Sequence, residues 1–193
     1  MRSHIVEAAC KLVRSQGVAG VTLDDVMCSS NVSKSQIYHY FADKDGLIRE
    51  VISLESQRVL STNQIHLEKV DSFASLVRWR DAIIALNKAK RGMWGCPMGS
   101  LANELANQSE SARKFLVEGF ETWQAQITTG LRKMRDAGEL RETADPAKLA
   151  IAVLCAIQGG LLLSKTARNT KPLELAFDMA LEHVARELIV RVS

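Results

Sequence analysis

Proline is scarce in this sequence: it stands only at positions 97, 146 and 172 of 193, and glycine adds just eleven residues. Long stretches are therefore free to be helical, and collagen-like or low-complexity chains are excluded. Charge of one sign is also lacking. The formal net charge is +3, and within residues 1–50 six basic groups (Arg2, Lys11, Arg14, Lys34, Lys44, Arg49) are cancelled by six acidic ones (Glu7, Asp24, Asp25, Asp43, Asp45, Glu50). Bulk electrostatics names no partner. The four cysteines, Cys10, Cys28, Cys96 and Cys155, lie far apart, without CxxC or Cys/His ligand spacing. This argues against a zinc site and against a disulfide framework, so reduced thiols, no metal and no cofactor are expected. The first residues, "MRSHIVEAACKLVRSQG", have neither the apolar core nor the cleavage site of a secretory signal, and a cytoplasmic address is expected. The most apolar run, Leu149 to Leu163, is 15 residues, shorter than the ~20 of a membrane span. It reads as a buried helix, with no membrane partner.

What the chain does have is apolar content, 47% against 24% charged, arranged at helical spacing, with no alternating strand pattern. The fold class expected is all-α. Ile5, Ala8, Ala9, Leu12 and Val13 stripe a first helix that ends near Gly17 in a left-handed cap. Thr22 and Asp25 have capping-box spacing and open a second helix, to about Ser29. Ser33 caps a third, about 34–41, and Asp43 a fourth, about 44–67. Further helices are expected over about 72–90, 97–106, 111–137, 146–167 and 172–192, the prolines suiting three of these starts.

The second and third helices, separated by the short "SNV" turn, have helix-turn-helix spacing. Ile37 and Phe41 fall on one side of the third helix at about 100° per residue. Ser35 and His39 then point outward, flanked by Tyr38 and Gln36, and the helix carries no carboxylate. Such a face suits a major groove: Gln36 for adenine edges, Lys34 and His39 for guanine or phosphate, Ser35 for close approach. Tyr38 and Tyr40, the only tyrosines of the chain, offer hydroxyls to phosphates. Lys44, opening the fourth helix, brings its ammonium to a helix N-terminus that also favours phosphate.

The stretch "GVAGVTLDDVMCSSNVSKSQIYHYFADKDGLIREV", Gly17 to Val51, resembles the DNA-binding domain of the TetR family of bacterial transcriptional repressors. The shared pattern is a glycine ending helix one, a threonine opening helix two, Val-Ser opening the recognition helix, an aromatic-rich end to it, and a lysine opening helix four. Asn31 stands at a turn position usually taken by glycine and tolerates φ > 0; Met27 stands where a small alanine is usual. The resemblance implies operator contacts by Lys34, Ser35, Gln36, Tyr38, His39, Tyr40 and Lys44, with Thr22 a cap that also touches phosphate. It implies a helix-turn-helix domain over 1–48 and a larger helical ligand-binding and dimerisation domain over 49–193. "GCPMGSLANELA" and "GELRETADPAKLAIAVLCAIQGGLLLSK" look like drug- or flavonoid-responsive members.

On this resemblance the last two helices pair with their copies in a homodimer. Gly159 and Gly160 allow close approach, and Leu154, Leu161, Phe177, Leu181, Val184 and Leu188 supply contact area. A dimer reads two half-sites of a double-stranded operator, roughly 34 to 36 Å apart, as an imperfect palindrome. An apolar or aromatic small-molecule effector is expected among Trp94, Met98, Leu101, Phe120, Trp123 and Leu154, with Gln158 as a polar anchor. Two other readings compete. One is a helical enzyme or redox sensor using Cys96, although no adjacent histidine or base lowers its pKa. The other makes the long helices a ligand-independent dimerisation scaffold.

Overall fold

Gly17 closes the first helix, α1 (Arg2–Gln16), with φ 76° and ψ 169°, its N–H donating to Val13 O. The positive φ is as expected, but the extended ψ lies outside the left-handed helical region, in territory open essentially to glycine. The computed structural model describes residues 1–89, 92 and 95–189. Among them follow α2 (Leu23–Ser30), α3 (Lys34–Tyr40), α4 (Lys44–Leu67), α5 (Phe73–Ala89), α6 (Pro97–Leu105), α7 (Glu110–Asp136), α8 (Pro146–Ala167) and α9 (Lys171–Ala185). The all-α class stands.

The chain packs as two units, Met1–Val59 with Pro97–Gly119, and Leu60–Cys96 with Phe120–Ser193. A boundary after residue 48 therefore falls inside the first unit. The reason is packing: Leu101 and Leu105 of α6 and Ala112 and Leu116 of α7 share one apolar core with Ile5, Ala9, Val26, Ile37, Phe41 and Val51. Alongside it α1 and α4 are tied by charge. Glu55, 2% exposed, accepts a forked pair from Arg14 and a further bond from Arg58, which also bonds Glu7. That arginine holds the Glu7 carboxyl below its usual range.

In the second unit α8 packs on α9. Ser164 Oγ accepts the N–H of Leu173 at 3.1 Å, and a Cβ on Gly160 would lie 2.8 Å from Leu173 Cα. Trp79 of α5 meets Phe177 edge-on, with centroids 5.2 Å apart, and its indole N–H reaches Asn63 at 3.0 Å.

Three expectations are corrected here. The last helix ends at Ala185, not near 192: the chain turns and forms an antiparallel bridge between Leu188 and Leu140, with Ile189 N–H donating to Glu139 O at 2.8 Å. Residues 190–193 lie outside the described ones. The run from Leu149 is buried on one face only, since Ile151, Cys155, Gly159, Leu162 and Leu163 are exposed. By length and composition alone, α8 is a helix able to cross a membrane. Finally, Gly160, Leu161, Phe177, Leu181 and Val184 are buried inside the protomer. Gly160 lies against Leu173 and Ala176 of α9, and Phe177 meets Trp79 of α5, so these contacts are made within one chain; Leu188 is half-buried.

Candidate nucleic-acid interface

Two capping boxes fix the helix-turn-helix. Asp25 accepts the Thr22 N–H at 2.8 Å while Thr22 Oγ1 accepts the Asp25 N–H at 3.1 Å, so α2 begins where sequence spacing places it. Asn31 ends α2 with φ 52° and ψ 45°, the left-handed conformation required of it. Ser33 and Gln36 form the second box: Gln36 Oε1 accepts Ser33 N–H at 2.7 Å, and Ser33 Oγ accepts Gln36 N–H at 3.3 Å. That box is legible as Ser-x-x-Gln in the sequence, where Gln36 reads equally as a base contact.

Ile37 and Phe41 are buried as the helical phase requires, which leaves Lys34, Ser35, Gln36, Tyr38, His39 and Tyr40 exposed together. Tyr38 is 50% and Tyr40 37% exposed, so neither ring is a core plug. Tyr40 stacks edge-on against His39, with centroids 4.8 Å apart.

Thr22, Lys34, Tyr38 and Lys44 line one groove of about 390 Å³, with Ala19, Val21, Leu23, Met27, Ile37 and Asp24. The structure thus brings together four residues assigned separately from sequence; Ser35, Gln36, His39 and Tyr40 are not in its lining. Met27, the enlarged residue, forms part of the wall and packs partly on the core. Two hydrogen bonds refine the assignments. Thr22 Oγ1 donates to Asp25 at 2.6 Å, so its hydroxyl proton is engaged in the cap. Those bonds hold the Asp25 carboxyl below its usual range. Lys44 Nζ donates to the Val18 carbonyl at 2.9 Å, leaving two N–H groups for another acceptor. Asp24 is a carboxylate in the same groove that sequence reasoning does not single out.

The expected effector residues divide between the two units. Met98 and Leu101 belong to the first unit, where both are fully buried and Leu101 is part of the core; Trp123, Leu154 and Gln158 belong to the second. Phe120 is half-buried, and Trp94 lies outside the described residues. In the second unit, Trp123 Nε1, Gln158 Nε2, Gln126 Oε1 and Asn87 Oδ1 are buried with no hydrogen-bond partner among the described residues. Cys96 is buried.

Residues 5–51 match the family profile described as bacterial regulatory proteins, tetR family, and residues 72–179 match the one described as transcriptional regulator LmrA/YxaF-like, C-terminal domain. An HTH-type transcriptional regulator in the lacX 3' region of Lactococcus lactis subsp. lactis is 29% identical over 182 residues, covering 92% of this chain and 90% of that protein. The HTH-type transcriptional repressor DhaR of Mycobacterium sp. (strain GP1) is 26% identical over 177 residues, covering 90% and 87%. A crystal structure of the regulatory protein TetR from Rhodobacter sphaeroides superposes with a TM-score of 0.83 at 22% identity, covering 94% of this chain and 97% of that one.

Proposed function

Because this chain is a transcriptional regulator belonging to the TetR family, with an LmrA/YxaF-like C-terminal domain, we propose that it is a cytoplasmic homodimeric repressor of a palindromic operator, released by a small-molecule effector. The observation that carries the DNA-binding part is the exposed donor face of α3 together with the groove that gathers Lys34, Tyr38 and Lys44. Phosphates there meet two ammonium groups and a phenol, while base edges meet Ser35, Gln36 and His39.

The dimer is supported by exposed apolar residues, revised from those expected. Ile151, Leu162 and Leu163 on α8 and Leu175 and Met179 on α9 are exposed, with Gly159 open beside them. Large apolar side chains so grouped favour a partner surface, and a two-fold pair of chains presents two recognition helices to one duplex.

The effector site is supported by the unpartnered atoms of the second unit. Among the described residues, a buried indole N–H and amide N–H find no acceptor and two amide oxygens no donor, and each carries a desolvation cost. A neutral molecule with both an acceptor and a donor, on an apolar frame, removes that cost on binding. It releases DNA only to the extent that it prefers the protomer arrangement unable to span two half-sites.

Selection from a randomised duplex pool tests this reading. Enrichment of a two-fold symmetric motif, bound by two protomers, is expected; a pool that stays random after repeated rounds contradicts it.

A further inference from the structure

Val18 is held at both of its peptide groups by charged side chains from helices far away in sequence. Its N–H donates to Glu104 Oε2 of α6 at 2.6 Å, and its carbonyl accepts from Lys44 Nζ of α4 at 2.9 Å. The Val18 side chain is itself buried in the first unit's core. Gly17, immediately before it, leaves room for the contact: a Cβ there would lie 2.9 Å from Glu104 Oε2. Glycine thus serves both the helix end, through its φ of 76°, and the approach of the carboxylate.

We propose that Glu104 is a positioning residue for DNA binding, acting through the Val18 peptide on Lys44. The inference rests on the DNA-binding reading above. A free lysine carries several rotatable bonds whose freedom must be given up when it docks on a phosphate. Here the Val18 carbonyl fixes the ammonium at the wall of the groove it shares with Thr22, Lys34 and Tyr38, so less ordering remains for binding. That carbonyl also accepts the Val21 N–H at 3.4 Å, and on the other side of the residue Glu104 adds a short charge-assisted bond to the Val18 N–H. Without Glu104 the Val18 N–H loses its partner, the loop between α1 and α2 is released on one side, and the carbonyl that anchors Lys44 is held less firmly.

Simple electrostatics predicts the opposite sign. Removing a carboxylate raises the net charge by one and by itself strengthens binding to a polyanion. The proposal predicts weakening. The experiment measures affinity against salt for wild type, Glu104→Ala, Glu104→Asp, Glu104→Gln, Lys44→Ala and Lys44→Ala/Glu104→Ala, each checked by thermal melting. The probe is one duplex enriched by the wild-type protein from a randomised pool.

Lys44→Ala is expected to reduce the magnitude of the log–log salt slope by about 1. Glu104→Ala and Glu104→Asp, the latter keeping the charge but shortening the reach, are expected to lose about 3- to 10-fold in affinity and part of the same slope. Glu104→Gln, which retains an acceptor, recovers both, and the double variant matches Lys44→Ala. Unchanged slopes in Glu104→Ala and Glu104→Asp, stronger binding by Glu104→Ala, or additive losses in the double variant overturn the proposal. If Glu104→Ala fails to fold, the charge-conserving Glu104→Asp decides alone. Absence of wild-type binding to any enriched duplex instead defeats the DNA-binding reading beneath it.

Discussion

Gln36 Oε1 accepts the backbone N–H of Ser33 at 2.7 Å, and this contact makes an exposed residue of the recognition helix also part of its structural start. A backbone N–H can only donate, so the side-chain oxygen must face it and the NH2 group is turned outward. Gln36→Glu keeps the acceptor and removes the donor; Ser33→Ala removes the cap alone. Ser33→Ala is expected to lose about 1 kcal/mol in urea denaturation while enriching the same DNA motif as wild type. Gln36→Glu is expected to retain stability and change the motif. A shared motif for wild type and Gln36→Glu contradicts a base-reading role.

Asp24 lines the groove that gathers Lys34, Tyr38 and Lys44. It sits in the first turn of α2, where the helix dipole favours a negative charge, but a bound phosphate meets it as a like charge. Asp24→Asn should tighten binding to specific and scrambled duplexes alike, by about 3-fold at low salt, and cost about 0.5 kcal/mol of stability. Fluorescence anisotropy on both duplexes checks this. Tightening confined to the specific duplex makes Asp24 a base reader instead.

What the sequence makes legible here is mostly local. Thr22 with Asp25, Ser33 at its helix start, the turn at Asn31 and the burial of Ile37 and Phe41 depend on neighbours within a few residues, and spacing exposes them. Features that depend on distant partners are not legible. Glu104 meets Val18 across 86 residues. The end of α9 has no glycine or proline to announce it; pairing of the 186–189 segment with Glu139 to Arg141 stops it. The two faces of α8 are both apolar, so periodicity marks neither as the one facing α9. Leu161 and Leu162 of α8 are therefore indistinguishable in sequence, while the structure buries the first and exposes the second.

That opposition gives a direct contrast. Leu162→Glu or Met179→Glu places a charge on an exposed apolar face and is expected to yield folded monomer in analytical ultracentrifugation, with loss of two-protomer DNA complexes. Phe177→Ala opens the packing against Trp79 and is expected to cost about 3 to 5 kcal/mol of protomer stability. An intact dimer in both glutamate variants contradicts the proposed face.

Cysteine chemistry should divide by burial. Burial, reinforced by Glu55, pushes the Cys10 thiol up to about 12 from an ordinary 9.0. At neutral pH it stays protonated and inert, whereas Cys28 and Cys155 are exposed. Native alkylation with mass spectrometry should label Cys28 and Cys155 and spare Cys10. The raised pKa also has a stability sign. Below pH 9 both states keep the proton and the contribution is intact; as pH climbs toward about 12 the unfolded chain alone loses it, and stability falls. Urea midpoints over that range should fall more steeply for wild type than for Cys10→Ala, and parallel curves contradict the assignment.

The central claim is that placed donors on one exposed helix face, in place of bulk charge, make this chain a sequence-specific DNA-binding dimer. Its most direct test is the affinity of the purified wild-type protein for its enriched duplex and for a scrambled one, titrated over salt concentration. Binding is expected to weaken steeply with salt on both, with two protomers per duplex and a preference for the enriched site on the order of 10³-fold or more. Equal affinity for the two duplexes, or binding indifferent to salt, contradicts it.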